Sequence, residues 1–248
     1  MTLVDLLSFL SRSPEKQIAR ARKKAREPHG DASVRCGACQ KLAEMGSVEA
    51  IRALLDRFTI NVSPSVQDEQ EKEQVLAWVV QSGRTALPAI EEFVKTERTI
   101  YWPLRALREI VPEAEFSDRL DEILEFFSTH PPASPEPVVQ LIRALHGLSS
   151  EHLWSTVVQF LEDPDDDVVI AATDFLFEGN QEDGRKPVLE CYLAGEDRPR
   201  IRSHILHRLA EKDWTVKGFR PAVEECLPEG YILTRDGRIR RMGSHTGF

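Results

Sequence analysis

Residues Asp31 to Phe58 read DASVRCGACQKLAEMGSVEAIRALLDRF, and this stretch decides how the rest of the chain is read. Val34, Ala38 and Leu42 recur at four-residue spacing, which places them on one stripe of a helix. Gly46 interrupts the pattern. Ala50, Ile51, Leu54, Leu55 and Phe58 then form a second apolar stripe at helical spacing. The reading is a helical hairpin in which each helix has one face to bury. A single hairpin cannot cover both faces, so stacked copies are needed to close a core.

Copies follow at intervals of roughly thirty residues, a spacing expected of stacked repeats. The second runs from Asp68 to about Glu97, after a linker Thr59 to Gln67, with Val75, Leu76, Val79 and Val80 in its first helix. Leu87, Ile90, Phe93 and Val94 belong to its second, and Pro88 must fall in that helix's first turn. The third, Arg98 to His130, puts Trp102, Ala106 and Ile110 where the first has Val34, Ala38 and Leu42. The fourth, Val138 to Asp163, turns at Ser149-Ser150. In the fifth, Asp165, Val168, Ala172 and Leu176 match Asp31, Val34, Ala38 and Leu42, and in the sixth Ile201, Ile205 and Leu209 fill those places.

The expected domain layout is therefore 1–30 as N-terminal capping helices, 31–229 as about six repeats, and 230–248 as a C-terminal hairpin and tail. Leu3, Leu6, Leu7 and Leu10 give the first residues an amphipathic pattern without the basic start or cleavage site of a signal peptide. A second capping helix, with Ile18, Ala21 and Ala25 as its apolar stripe, carries Arg20, Arg22, Lys23, Lys24 and Arg26. HPPASPEP at 130–137 marks a bend or hinge. Asp236-Gly237, between short β-favouring arms, predicts a two-residue hairpin turn lying against the last helices.

The Asp-x-x-Val-Arg-x-x-x-Ala pattern of Asp31, Val34, Arg35 and Ala38, followed by Leu42 and Gly46, resembles a HEAT repeat. It is most similar to the short bacterial subtype found also in phycobilin lyase subunits. The resemblance implies an all-α fold, a right-handed α-solenoid with first helices on the convex side and second helices lining the concave side. It further implies a scaffold for other macromolecules. Arg35 and Arg202 keep the arginine of the pattern, whereas repeat five has Val169 there.

Bulk composition is 41% hydrophobic and 29% charged, as in a water-soluble helical protein rather than a disordered or membrane one. Four scattered cysteines do not make a disulfide framework, so a reducing cytoplasm is the expected setting. A net charge of −9 argues against general affinity for nucleic acid.

Candidate chemistry is sparse. Cys36 and Cys39 form a CxxC with no second half, and read as structural thiols. His204 and His207 share a helix face, but the core-like Ile205 and Leu206 turn them towards the flanks, away from a metal role. The His-Glu pairs that HEAT-like di-iron hydroxylases use are absent; Glu151-His152 has the reverse order. Asp163 to Asp167, DPDDD, reads as an acidic helix start rather than a calcium loop. No phosphate-cradling loop, nucleophile elbow or dinucleotide fingerprint appears, so neither an enzyme nor a cofactor is expected.

The sequence speaks to function through its charge. The predicted second helix Glu113 to Phe127 holds six carboxylates against one arginine. If second helices line the inner surface, that surface is acidic and attracts a basic protein or peptide. Glu91, Glu92, Asp118, Asp121, Glu122 and Glu125 are the expected contributors, with Trp154 and Tyr192 as aromatic anchors. The rival reading binds nucleic acid through Arg20 to Arg26, through Arg198, Arg200, Arg202 and Arg208, and through Arg235, Arg238, Arg240 and Arg241. A lyase or chaperone subunit is a further alternative from the resemblance.

Overall fold

The computed structural model describes residues 13–148 and 151–242, with only the backbone at 151. The expectations for Leu3 to Leu10, for the Ser149-Ser150 turn and for Gly243 to Phe248 lie outside the described residues. What is described is mostly helical, with one small two-stranded sheet.

The helices are α1 (Pro14–Ala25), α2 (Ala32–Met45), α3 (Val48–Leu55), α4 (Ser65–Gln81), α5 (Leu87–Thr96), α6 (Tyr101–Ile110) and α7 (Glu113–Thr129). They continue as α8 (Glu136–Ala144), α9 (Glu151–Val158), α10 (Asp166–Glu178), α11 (Gln181–Ala194), α12 (Pro199–Lys212) and α13 (Arg220–Glu225). Strands β1 (Tyr231–Leu233) and β2 (Ile239–Arg241) close the chain. It divides into two compact units whose boundary, Arg119 to Leu120, falls inside α7.

In the first unit, local chemistry sets the helix ends. Asp31 and Ser47 cap α2 and α3 by accepting from the backbone N–H groups of Ser33 and Ala50. Gly46 closes α2 at φ 60°, a left-handed conformation that costs glycine little. First helices of successive hairpins touch one another, α2 with α4 and α4 with α6, and the second helices α3 and α5 do likewise. Helix α1 covers α2 and α3 through the buried Ala21 and Ala25. Pro88 sits in the first turn of α5, where its missing N–H costs nothing.

Two readings of this unit need correction. Helix α4 begins at Ser65, three residues before the expected start at Asp68. More telling, Val34 is 50% exposed while Arg35 is buried, so the inward stripe of α2 is Arg35, Ala38, Cys39 and Leu42.

In the second unit, α8 packs on α10 and α10 on α12, while α11 meets α12 and the 3-10 turn Gln159–Glu162. Asp165 caps α10 by accepting from Asp167 N–H, so the acidic run is a helix start as expected. Where the sequence predicts the second helix of a sixth hairpin, the chain has only the six-residue α13.

Strand β2 lies on α12. The β-turn differs from the two-residue expectation: Leu233 pairs with Ile239, and Thr234 N–H donates to the Arg238 carbonyl at 2.9 Å. The loop is therefore Arg235, Asp236 and Gly237, with Gly237 alone at positive φ, the three-residue solution with a left-handed third position. The Thr234 hydroxyl accounts for the change. It donates to the Arg238 carbonyl and accepts from Arg238 N–H, at 2.9 and 3.0 Å, and so closes the longer loop.

Candidate functional site

Buried ions tie the helices of the first unit together. Arg35 reaches from α2 to α4 and donates to both carboxylate oxygens of Glu71, at 2.7 and 2.6 Å, and to the carbonyls of Glu27 and Gly30. Arg57, fully buried, donates to Glu71 at 3.0 Å, to Asp68 at 2.8 Å and to the Ile60 carbonyl. Lys72 closes the group on Asp68 at 2.6 Å. Burial pushes the Glu71 and Asp68 carboxyls up, but the hydrogen bonds outweigh it: those from Arg35 and Arg57 hold Glu71 below the usual range, and those from Lys72 and Arg57 do the same for Asp68. Every donor here has an acceptor, so this network holds structure and offers nothing to a ligand.

The predicted acidic residues separate into three kinds. Glu91 is ion-paired with Arg119, and Glu92 lies 3.4 Å from Arg52. Asp121 is buried, accepting from the Thr156 hydroxyl at 2.8 Å and facing His152 Nε2 at 2.9 Å. Asp118, Glu122 and Glu125 stand exposed on α7 at positions i, i+4 and i+7, one solvent-facing stripe. No described cation pairs with Asp118 or Glu122, and Glu125 has only His152, at 3.7 Å. Asp121 thus drops out of the exposed set, because it sits one step round the helix on the buried side.

The aromatic anchors also separate. Tyr192 is fully buried with its hydroxyl donating to the Cys226 carbonyl at 3.1 Å, and burial raises that hydroxyl to about 12, so it presents no surface to a partner. Trp154 is partly exposed. Its ring packs against Phe175 with centroids 5.8 Å apart and lies directly over Gly179, where a Cβ would stand 1.4 Å from the indole.

Sequence reading missed the pairing of His152. Asp121, Glu125 and His152 bring one donor atom each within 4.8 Å of one another, the one group of that kind among the described residues. Their geometry can accept a divalent cation with a carboxylate-rich shell. A hydrogen bond between Asp121 and His152 satisfies the same atoms. The signal was out of reach of a local reading, since His152 lies 31 positions from Asp121.

The remaining candidates are accounted for internally. Cys39 is buried, and burial pushes its thiol up to about 12, far from the thiolate a redox pair needs; Cys36 is exposed. His204 Nε2 bonds Asp174 at 2.9 Å, and His207 lies 3.2 Å from Glu211 on its own helix, so the two histidines serve different partners. The arginine-rich segments are largely neutralised as well: Arg22 and Arg26 by Asp56, Arg198 by Asp166, Arg200 by Asp167, Arg208 by Asp174, and Arg238 and Arg240 by Asp213. Arg202 instead stacks on Tyr192, 4.9 Å from its ring, and donates to the Cys226 carbonyl.

Arg235 and Arg241 are exposed and form no ion pair among the described residues, and a further cationic surface lies on α1 and α2. A groove of about 910 Å³ runs between α1 and α2, with Arg20, Lys23, Lys24 and Lys41 on its walls and Ala21, Val34, Gly37 and Ala38 on its floor. None of the four cations meets a carboxylate among the described residues; Glu27, at the groove's end, is the one acid that lines it.

No protein family, curated protein or solved structure matches the chain. Among the described residues no helix is long and apolar enough to cross a membrane.

Proposed function

We propose that the chain is a HEAT-like α-solenoid acting as a non-catalytic scaffold in the cytoplasm, and that it holds a basic protein or peptide on the acidic face of α7. The observation that carries this reading is the exposed stripe Asp118, Glu122 and Glu125, three carboxylates on one face of one helix with no arginine or lysine paired to them among the described residues. Uncompensated carboxylates at i, i+4 and i+7 repel one another, and a basic partner relieves that repulsion. Contacts between first helices of successive hairpins, and the reach of Arg35 from one hairpin to Glu71 in the next, support the repeat architecture. Internal pairing of Arg22, Arg26, Arg198, Arg200, Arg208, Arg238 and Arg240 counts against the nucleic-acid alternative, which needs those charges free for phosphate.

The test is affinity capture from native lysate at low and high salt, with the wild type beside Asp118→Lys/Glu122→Lys. Both side chains are exposed and unpaired, so their reversal leaves the core intact. The reading expects basic proteins that elute with salt and are missing from the variant. Capture of the same proteins by both forms, or of nucleic acid by both, contradicts it.

A further inference from the structure

The α1–α2 groove gathers four cations against one carboxylate, Glu27, and none of the four forms an ion pair among the described residues. Arg20, Lys23 and Lys24 fall at i, i+3 and i+4 on α1, a spacing at which like charges destabilise a helix. Lys41 faces them from α2. Neighbouring Arg22 and Arg26 show the alternative, since both are paired with Asp56. The floor between these cations is apolar, and Val34 on it is 50% exposed.

Gly37 points the same way by a separate route. It lies in the interior of α2, where glycine is less favourable than alanine. Its φ is not left-handed, and an added Cβ would meet nothing within 4 Å, so neither backbone nor packing demands glycine there. What the missing side chain provides is an open path to the helix backbone at the groove's floor.

From these observations we infer that the groove is a docking site for an acidic amphipathic helix of a partner protein. The apolar stripe of that helix rests on Ala21, Val34 and Ala38 and passes close over Gly37. Its flanking carboxylates meet Arg20, Lys23, Lys24 and Lys41. The helical part of the wall, Gln17 to the end of α1 at Ala25, is nine residues, about 13 Å, which accommodates roughly two and a half turns of a partner helix. A helix laid in a groove with anchors at i, i+3, i+4 and i+7 is an established recognition mode. Single-stranded nucleic acid fits less well, because no aromatic side chain among the described residues lines the groove for bases to stack on. The chain's own first twelve residues carry one carboxylate, Asp5, and do not supply the charge. This surface is independent of the α7 stripe and takes a partner of opposite sign.

The test uses the full chain and a labelled amphipathic peptide of about three to four helical turns, with leucines on one stripe and glutamates flanking it, followed by fluorescence polarisation. A second peptide carries glutamine for every glutamate, and an oligodeoxythymidine strand serves as competitor. The inference expects the glutamate peptide to bind in a salt-sensitive way and the glutamine peptide to bind about tenfold or more weakly. It expects Lys24→Glu/Lys41→Glu to lose at least about tenfold in affinity. Gly37→Leu should abolish binding while melting no lower than the wild type, which separates a blocked groove from a damaged fold. Absence of glutamate-peptide binding overturns the inference. So does binding that neither variant weakens, and so does an oligonucleotide that displaces the peptide and itself depends on Lys24 and Lys41.

Discussion

Removing the carboxylate of Glu71 tests whether burial, rather than contact distance, decides what an ion pair is worth in this protein. Glu71 accepts from Arg35 at 2.6 and 2.7 Å, and the two side chains are 13% and 3% exposed. It accepts also from Arg57, whose side chain is 0% exposed. Glu71→Ala therefore strands two buried guanidinium groups at once, each left with only its remaining acceptors. Breaking a buried pair from one side costs about 3 to 5 kcal/mol, and that is the expected loss. At roughly 4 °C per kcal/mol for a unit of this size, the melting point falls by about 12 to 20 °C. Two residues further along α4, Glu73 meets Arg105 at 2.8 Å, a similar distance, but the side chains are 46% and 34% exposed. Glu73→Ala should cost less than about 1 kcal/mol. Urea denaturation followed by circular dichroism at neutral pH measures both variants on one scale. Equal losses for the two would refute the argument, as would a loss below about 1 kcal/mol for Glu71→Ala.

The same network gives a pH prediction. Glu71 and Asp68 are held below their ordinary values in the folded state, so their contribution is fully present above the unfolded pKa values of about 4.3 and 3.9 and disappears as pH falls through the depressed folded ones. The stability gap between wild type and Glu71→Ala should stay constant from neutral pH to about pH 5 and shrink below about pH 4, which denaturant titrations across that range will show. At Gly179 a Cβ would stand 1.4 Å from the Trp154 indole. Gly179→Ala should therefore cost about 1 to 3 kcal/mol by overpacking and displace the tryptophan, seen as a shift in its fluorescence. Thiol labelling of the folded protein near pH 8 should modify Cys36 and leave Cys39 untouched until denaturant is added, because Cys39 is buried and its thiol is raised to about 12; equal labelling of both would contradict its burial.

Helix positions were legible because they depend on local chemistry. The apolar spacing of Ala38 and Leu42, the stop at Gly46 and the first-turn Pro88 all act within a few residues, and all sit where the pattern puts them. The rotation of α2 was not legible. Periodicity favours an inward Val34 over an inward Arg35, and only a carboxylate 36 positions away makes the buried guanidinium affordable. Long-range partners explain the other misses. Tyr192 reads as a surface aromatic until the Cys226 carbonyl, 34 residues on, satisfies its hydroxyl in the core. Asp121 reads as one more exposed carboxylate until Thr156 and His152 take its oxygens. The basic groove was half visible: Arg20 to Arg26 stood out as a cluster, but which cations stay unpaired depends on Asp56 taking Arg22 and Arg26.

The measurement closest to the central claim is the affinity of a labelled lysine-rich helical peptide for the wild type, for Asp118→Lys/Glu122→Lys and for Lys24→Glu/Lys41→Glu across a salt series. The account predicts salt-sensitive binding that the α7 variant loses by about tenfold or more and the groove variant keeps. Binding that survives reversal of Asp118 and Glu122, or that never appears, would contradict a scaffold working through the acidic face of α7.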